Sequence, residues 1–389
     1  MRFRCFPAAV AVALCAAGPA HAALIAPGQV SLLGVTTIPF ATTFGGTPVG
    51  GLSGIDYNPA TNQYIAISDD RSQNAPARFY QLQVPLGASG IGTVSVTGVT
   101  TFTTPAGTTY PATSVDPESI RFAPGGGVTW SSEGDATQLI GTSVMQATAG
   151  GRTTATLTPP AYYAPTANNT SGIRNNLAFE GLTYTPDGSL YAALENSLNQ
   201  DGPNASLTTG SANRVLRLDP NTGAALAEYV YLTDPIPFAP VPANGSANNG
   251  VSEFLAIDDT HFLALERAFS QGVGNSVRIY EADLPGATNV LGLTSLAGAA
   301  YQPLAKSLVA DLSTFGFAPD NVEGITFGPN LPNGDRTLVL IVDNNFAPSQ
   351  TQQVIALEIA ATPVPEPAPL LLLGSALAIL GLFRQQARA

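Results

Sequence analysis

Cations are scarce in this sequence: a single lysine, Lys306, and 15 Lys and Arg in all face 27 Asp and Glu, for a formal net charge of −12 over 389 residues. Setting aside the terminal Arg2, Arg4, Glu366, Arg384 and Arg388 leaves 11 basic and 26 acidic residues in the body of the chain. So few cations argue strongly against nucleic-acid binding, which rests on neutralising phosphates with Lys and Arg. They also argue against passive adhesion to an anionic membrane. Both cysteines, Cys5 and Cys15, fall in the N-terminal apolar stretch, so the body has no disulfide and no cysteine-built zinc or iron–sulfur site. Of the two histidines, His21 lies at an apparent cleavage site and only His261 remains. Chemistry that needs two histidines is excluded. A Ser-His-Asp triad is excluded as well, because His261 sits in the turn Asp258-Asp259-Thr260-His261 and is expected to be exposed there. No long 3.6-residue periodicity occurs outside the termini, whereas 39 Gly and 32 Pro are spread among many Thr, Ser and Asn. That composition suits numerous short strands with tight turns.

What the chain does have is a repeat. The stretch Glu180-Gly181-Leu182-Thr183-Tyr184-Thr185-Pro186 carries an acid, a small residue, two alternating apolar positions and a proline. An Asp187-Gly188 turn and the alternating Leu190, Ala192 and Leu194 follow, which is the pattern of a β-hairpin with one buried face. Units starting at Ser53, Glu118 and Glu323 repeat it, and a weaker copy that lacks the proline starts at Glu253. Each is followed by an apolar run that ends in charged or amide residues: Asp69-Asp70-Arg71, Glu133, Glu195-Asn196, Glu266-Arg267 and Asp343-Asn344.

First positions are 65, 62, 73 and 70 residues apart, and further strand-like segments fill each interval. Four antiparallel strands per repeat is the make-up of a propeller blade. The expected fold is therefore all-β, a β-propeller of five or six four-stranded blades, with an N-terminal signal helix and a C-terminal hydrophobic helix. Residues 24–48, alternating around Val30, Leu32, Val35 and Ile38, are expected to pair with the far end of the chain and close the ring. Trp130 is expected to fill the core between sheets. Residues 160–176 and Ser197–Asn213 read as long loops, the second of them exposed.

Antiparallel pairing brings the first residue of each hairpin to the same end as its last. Glu118, Glu180, Glu253 and Glu323 should thus meet Asp69, Glu133, Glu195, Glu266 and Asp343 around one mouth of the central channel. So many carboxylates cannot all stay ionised without compensation. Arg71, Arg267 and Arg174 are candidates for part of it, and a hard divalent cation, Ca²⁺ before Mg²⁺, for the rest, since every available ligand is oxygen. The competing account is that each acid is a blade-to-blade ion pair or a backbone cap.

The repeated Glu-Gly-[Leu/Ile]-x-[Tyr/Phe] units with acidic or Asp-Arg endings resemble the phytase-like family described as having esterase-like activity of phytase, over about residues 45–360. The resemblance implies a propeller hydrolase of phosphoesters or esters with Ca²⁺ held by carboxylates. On that reading Glu118, Glu180, Glu253, Glu323 and Asp343 are metal ligands, and Arg71, Arg267 and Glu195 are catalytic. This chain has Ser53 where the other units have Glu, and few cations for a highly phosphorylated substrate. The alternative is a non-catalytic extracellular propeller that binds polysaccharide or a protein partner, with structural calcium.

At the termini, Arg2 and Arg4, an apolar run from Phe6 to Ala17 and Ala20-His21-Ala22 read as a signal peptide over 1–22. Residues 23–361 then form the propeller domain. Val364-Pro365-Glu366-Pro367, the apolar Ala368–Phe383 and the basic Arg384 and Arg388 resemble a PEP-CTERM sorting signal over 362–389. That signal implies recognition by an exosortase, a transient inner-membrane anchor, and a cell-envelope or extracellular location. The expected partners are a small phosphoester or ester substrate and exopolysaccharide, with the protein a monomer.

Overall fold

The structure, a computed structural model, describes residues 24–26 and 28–361. The signal-peptide and sorting-signal readings lie outside the described residues. Among the described residues, helix is confined to two short 3₁₀ turns, Ala161–Tyr163 and Leu312–Phe315, and no helix is long and apolar enough to cross a membrane.

Five four-stranded antiparallel sheets follow one another along the chain, which settles the blade count at five. Blade 1 comprises Leu52–Asn58, Gln63–Ser68, Arg78–Gln83 and Ser95–Thr101, and blade 2 Pro117–Phe122, Val128–Ser132, Ser143–Ala147 and Thr153–Leu157. Blade 3 comprises Phe179–Tyr184, Leu190–Leu194, Ala212–Leu218 and Ala225–Leu232. Blade 4 comprises Ala247–Ala256, His261–Ser270, Gly274–Asp283 and Ala305–Asp311. Blade 5 takes Asn321–Phe327, Arg336–Asp343 and Gln353–Ile359 from the end of the chain. Its fourth strand is Val30–Thr37, paired antiparallel with Gln353–Ile359. The expected closure by the N-terminal segment is what forms.

The first strand of each blade is innermost, and each packs against the first strands of its neighbours around the ring. The turn of the blade 3 hairpin shows why the repeat folds this way. Gly188 takes φ +85°, which costs a glycine nothing, and the Asp187 carboxylate accepts from Ser189 N (2.9 Å) and Thr185 Oγ1 (2.5 Å). Apolar faces of adjacent blades meet in buried clusters. Trp130, fully buried, stacks at 4.5 Å on Phe102, which follows the last strand of the preceding blade, the core position expected for it.

Each innermost strand carries a β-bulge at the start of its repeat, where one extra residue is accommodated against the second strand. The bulged residue is Ser53 in blade 1, Glu118 in blade 2, Glu180 in blade 3 and Glu323 in blade 5. In blade 4 it is Ser252. The expected register of the fourth repeat is therefore one residue out. Glu253 occupies the place held by Gly54, Ser119, Gly181 and Gly324, and it does not join the other acids.

That place faces the neighbouring blade. A Cβ on Gly54 would lie 2.7 Å from Glu118 O, and one on Gly324 2.7 Å from Ser53 O, so glycine there is a condition of close blade packing. Glu253 instead reaches across the channel, accepting from Ser119 Oγ (2.7 Å) and Leu182 N (2.9 Å) and pairing with Arg121 at 2.9 Å. Arg121 donates onward to Ile55 O (2.6 Å) and Ile325 O (3.4 Å). This one buried ion pair touches the innermost strands of all five blades and plugs the channel.

Candidate functional site

The bulge and the hairpin end place three residues per blade at one end of the channel. On the second strand they are Asp69, Glu133, Glu195, Arg267 and Asp343 in blades 1 to 5. Opposite them stand Gly51, Asp116, Ala178, Gly250 and Asn321. With the bulged Glu118, Glu180 and Glu323, eight carboxylates from four blades gather there, and blade 4 contributes a cation in the acid position. Two of the glycines make room for them. A Cβ on Gly51 would fall 1.9 Å from Asp69 Oδ1, and one on Gly250 2.6 Å from Glu195 Cγ.

The acids surround an open pocket of about 410 Å³, with Asp69, Asp116, Glu118, Glu180, Glu323 and Asp343 on its wall together with Arg71 and Arg267. Glu133 and Glu195 lie beneath this wall, fully within the protein. Arg267 bridges blades 3 and 5, its guanidinium 3.4 Å from Glu195 Oε1 and 3.3 Å from Glu323 Oε1. Arg71, at the mouth, pairs with Asp116, lies 4.0 Å from Glu133 and 3.9 Å from Asp135, and donates to Asn176 Oδ1 at 2.9 Å. Asp70 also borders the pocket, but its oxygens are taken up by Arg78 and by the amides of Gln73, Asn74 and Ala75.

Two guanidinium groups do not balance eight carboxylates, and the protonation states record the deficit. Burial, then the charges of Asp343 and Glu323, holds Asp69 well above the ordinary carboxylate range. Burial with Glu180 does the same to Glu118, burial with Asp116 and Glu195 to Glu133, and burial with Glu133 and Glu195 to Glu180. Burial raises Asp116 despite Arg71, and Glu323 despite Arg267. Burial, opposed by Arg267, leaves Glu195 at about 7, and burial with the Glu323 charge brings Asp343 to about 8.

Whether a cation fits can be judged from the oxygens. Asp69 Oδ1, Glu133 Oε2 and Glu180 Oε2 are buried with no hydrogen-bond partner, which is costly unless something else meets them. Asp116, Glu118 and Glu133 can bring one oxygen each within 4.8 Å of one another, and so can Glu133, Glu180 and Glu195. An all-oxygen, mostly anionic donor set suits a hard divalent ion. Asp343 is different: Oδ1 accepts from Asn345 N (2.7 Å) and Oδ2 from Asn321 Nδ2 (3.1 Å), so neither oxygen is free.

The family comparison bears directly on this geometry. The phytase-like family, described as "Esterase-like activity of phytase", matches residues 47–346 and so takes in every residue of the pocket. The chain belongs to the phytase-like family. Among solved structures, this phytase-like chain is similar to an endo-arabinase from Bacteroides thetaiotaomicron at 13% identity, over 84% of this chain and 98% of that one, with a TM-score of 0.45. It is also similar to a hypothetical protein from Leishmania major at 11% identity, over 64% of this chain and 86% of that one, with a TM-score of 0.21. Among curated proteins, none matches.

Several expected rim residues of the phytase-like chain lie elsewhere. Glu253 sits in the channel plug. Glu266, one place short of the rim, accepts from Tyr231 OH (2.7 Å), Asn249 Nδ2 (3.0 Å) and Lys306 Nζ (2.6 Å). Arg174 donates to Ser197 O and Gly202 O and does not border the pocket. The Ser197–Asn213 segment is not simply exposed, because Asp201 is buried against Arg214, which also pairs with Glu228. His261 lies at the turn, as expected, but is half-buried and held by Asp258 at 2.8 Å. Sequence reasoning missed Asp116. The signal was its place two residues before Glu118, matching Asn321 before Glu323.

Proposed function

We propose that the protein is a metal-dependent hydrolase of phosphomonoesters, acting at the acidic pocket with Ca²⁺. One observation carries the reading: a cluster of eight carboxylates, six of them on the pocket wall with two arginines, in which three buried carboxylate oxygens have no hydrogen-bond partner. Such a pocket repels an anionic substrate until a cation is bound, and then attracts one.

Asp116, Glu118, Glu133, Glu180 and Glu195 are the residues that would hold the ion, with Asp69 and Glu323 completing the set from blades 1 and 5. When bound, a divalent cation supplies Lewis-acid polarisation of a phosphoryl oxygen and neutralises its charge. The protein's own groups do the rest. Arg71 and Arg267, fixed on the pocket wall by their carboxylate partners, would stabilise negative charge that develops on phosphoryl oxygens. Asp343, buried on the pocket wall and outside the ion-holding set, is the carboxyl that would give a proton to the leaving alcohol oxygen. Water attacks phosphorus, the P–O bond breaks, and the surrounding carboxylates accept the proton that water loses. Glu195 lies below the wall, where, besides its place in the ion-holding set, it orients Arg267.

The reading is tested with the mature protein, p-nitrophenyl phosphate and p-nitrophenyl acetate, in Ca²⁺ and then in chelator. Turnover of the phosphate that depends on Ca²⁺ and falls at least 100-fold in Glu180→Gln and Glu323→Gln, with melting retained, supports it. A protein that binds Ca²⁺ and turns over neither ester is the non-catalytic propeller instead. Export and exosortase sorting remain part of this proposal, supported by the terminal sequence signals; the intact mass of protein recovered from the envelope tests them.

A further inference from the structure

Among the described residues, Phe346 is the one apolar side chain on the wall of the acidic pocket. It follows Asn345, and both have left-handed backbone, at φ +46° and +50°. Asparagine tolerates that region, but a bulky aromatic residue there is an outlier. Backbone strain of this kind persists only where the surroundings fix it, and they do. Asn344 Oδ1 accepts from Phe346 N (3.2 Å) and from Gly51 N (2.9 Å), while Asn345 N is held by Asp343 Oδ1. The ring lies over two residues that have no side chain. A Cβ on Gly50 would come within 3.0 Å of the ring and one on Gly51 within 2.5 Å. Arg78 stands 5.9 Å from the ring centroid. A glycine or asparagine would satisfy this backbone with less strain, so the reason for phenylalanine lies in its ring, which is only half-buried.

We infer that Phe346 is a specificity-determining residue, the wall on which the organic part of the substrate stacks, so that the substrate is a monoester with one anionic group and a flat aromatic face. The inference rests on the hydrolase reading and names its substrate class. It is consistent with the two arginines on the pocket wall, which provide for one phosphoryl group and leave no cation for several. A small alkyl ester gains nothing from the ring, and a polyphosphorylated polyol meets carboxylates beyond the first phosphate.

Calorimetric titration of the Ca²⁺-loaded mature protein with phenylphosphonate and with methylphosphonate tests this without turnover. Wild type should bind phenylphosphonate about tenfold more tightly, in keeping with aromatic stacking. Phe346→Gly should abolish that preference by weakening phenylphosphonate alone, while its melting temperature stays level or rises as the strain is relieved. Phe346→Tyr should restore the preference. Equal affinity of wild type for the two compounds overturns the inference and leaves the hydrolase reading standing. So does a Phe346→Gly variant that melts lower and loses both compounds equally, since the ring would then be only a brace. If wild type binds neither compound with Ca²⁺ present, the hydrolase reading itself fails and this inference with it.

Discussion

Removing metal and raising the pH from 5 to 8 should destabilise this protein, and Ca²⁺ should reverse the loss. In the folded, metal-free chain burial lifts Glu195 from an ordinary 4.5 to about 7. The folded state therefore binds more protons than the unfolded one between those values, and stability falls as pH rises through that window. It is fully present below 4.5 and is lost by about 7. At 1.36 kcal/mol per pKa unit, Glu195 alone accounts for roughly 3 kcal/mol. Asp343, lifted from 3.8 to about 8, adds to the fall and extends it upward. Acids with lowered values, such as Asp70, act with the opposite sign but only below about pH 4. For a chain of this size a loss of 3 kcal/mol corresponds to a drop in Tm of roughly 4 °C. Calcium at a thousand times its Kd contributes about 4.1 kcal/mol, and its affinity should rise with pH because the ligands must lose protons to bind it. The assay is a melting series in chelator and in Ca²⁺ at pH 5, 6, 7 and 8. A Tm in chelator that is flat across this range, or one that Ca²⁺ does not raise at pH 8, refutes the electrostatic account of the pocket.

Glu253→Gln leaves Arg121 buried in the channel without a countercharge and should cost about 3–5 kcal/mol by denaturant titration. Calcium affinity should change little, because Glu253 is outside the pocket, and a tenfold loss would return it to the ligand set. Gly324→Ala puts a methyl group 2.7 Å from the backbone of blade 1 and should cost about 1–3 kcal/mol although the backbone is not left-handed there. A neutral Gly324→Ala would show that the blades are spaced more loosely than described.

The hairpins, the ring closure and most of the acids were legible in the sequence, because alternation of period two and a turn at fixed distance leave little freedom in register. The fourth repeat was misread for a physical reason. Phe254-Leu255-Ala256-Ile257 is apolar on both faces, so alternation cannot tell one register from the next, and Glu253 looked like the first position that Ser252 holds. Arg267, read as following an acid, turned out to stand in the acid's own place, with Glu266 one residue earlier inside the blade. Asp116 was missed because alternation alone does not mark which polar residues face a channel, and only its spacing from Glu118, shared by Asn321 and Glu323, pointed to it. Phe346 was invisible for another reason, since its role depends on a left-handed loop that no periodicity encodes. The spacing of the repeats left five and six blades open because long connections, such as the one that carries Asp201 back onto Arg214, lengthen each unit without adding strands.

Among the described residues, blade 5 is the only sheet stitched from segments more than 300 residues apart in sequence, Val30–Thr37 and Gln353–Ile359. It also supplies Glu323 and Asp343 to the pocket wall and Phe346 to its lip. Fraying of that seam under heat or force would dismantle the acidic pocket while the other four sheets still stood, so loss of the proposed activity should precede global melting, and a covalent staple across the seam should bring the two together.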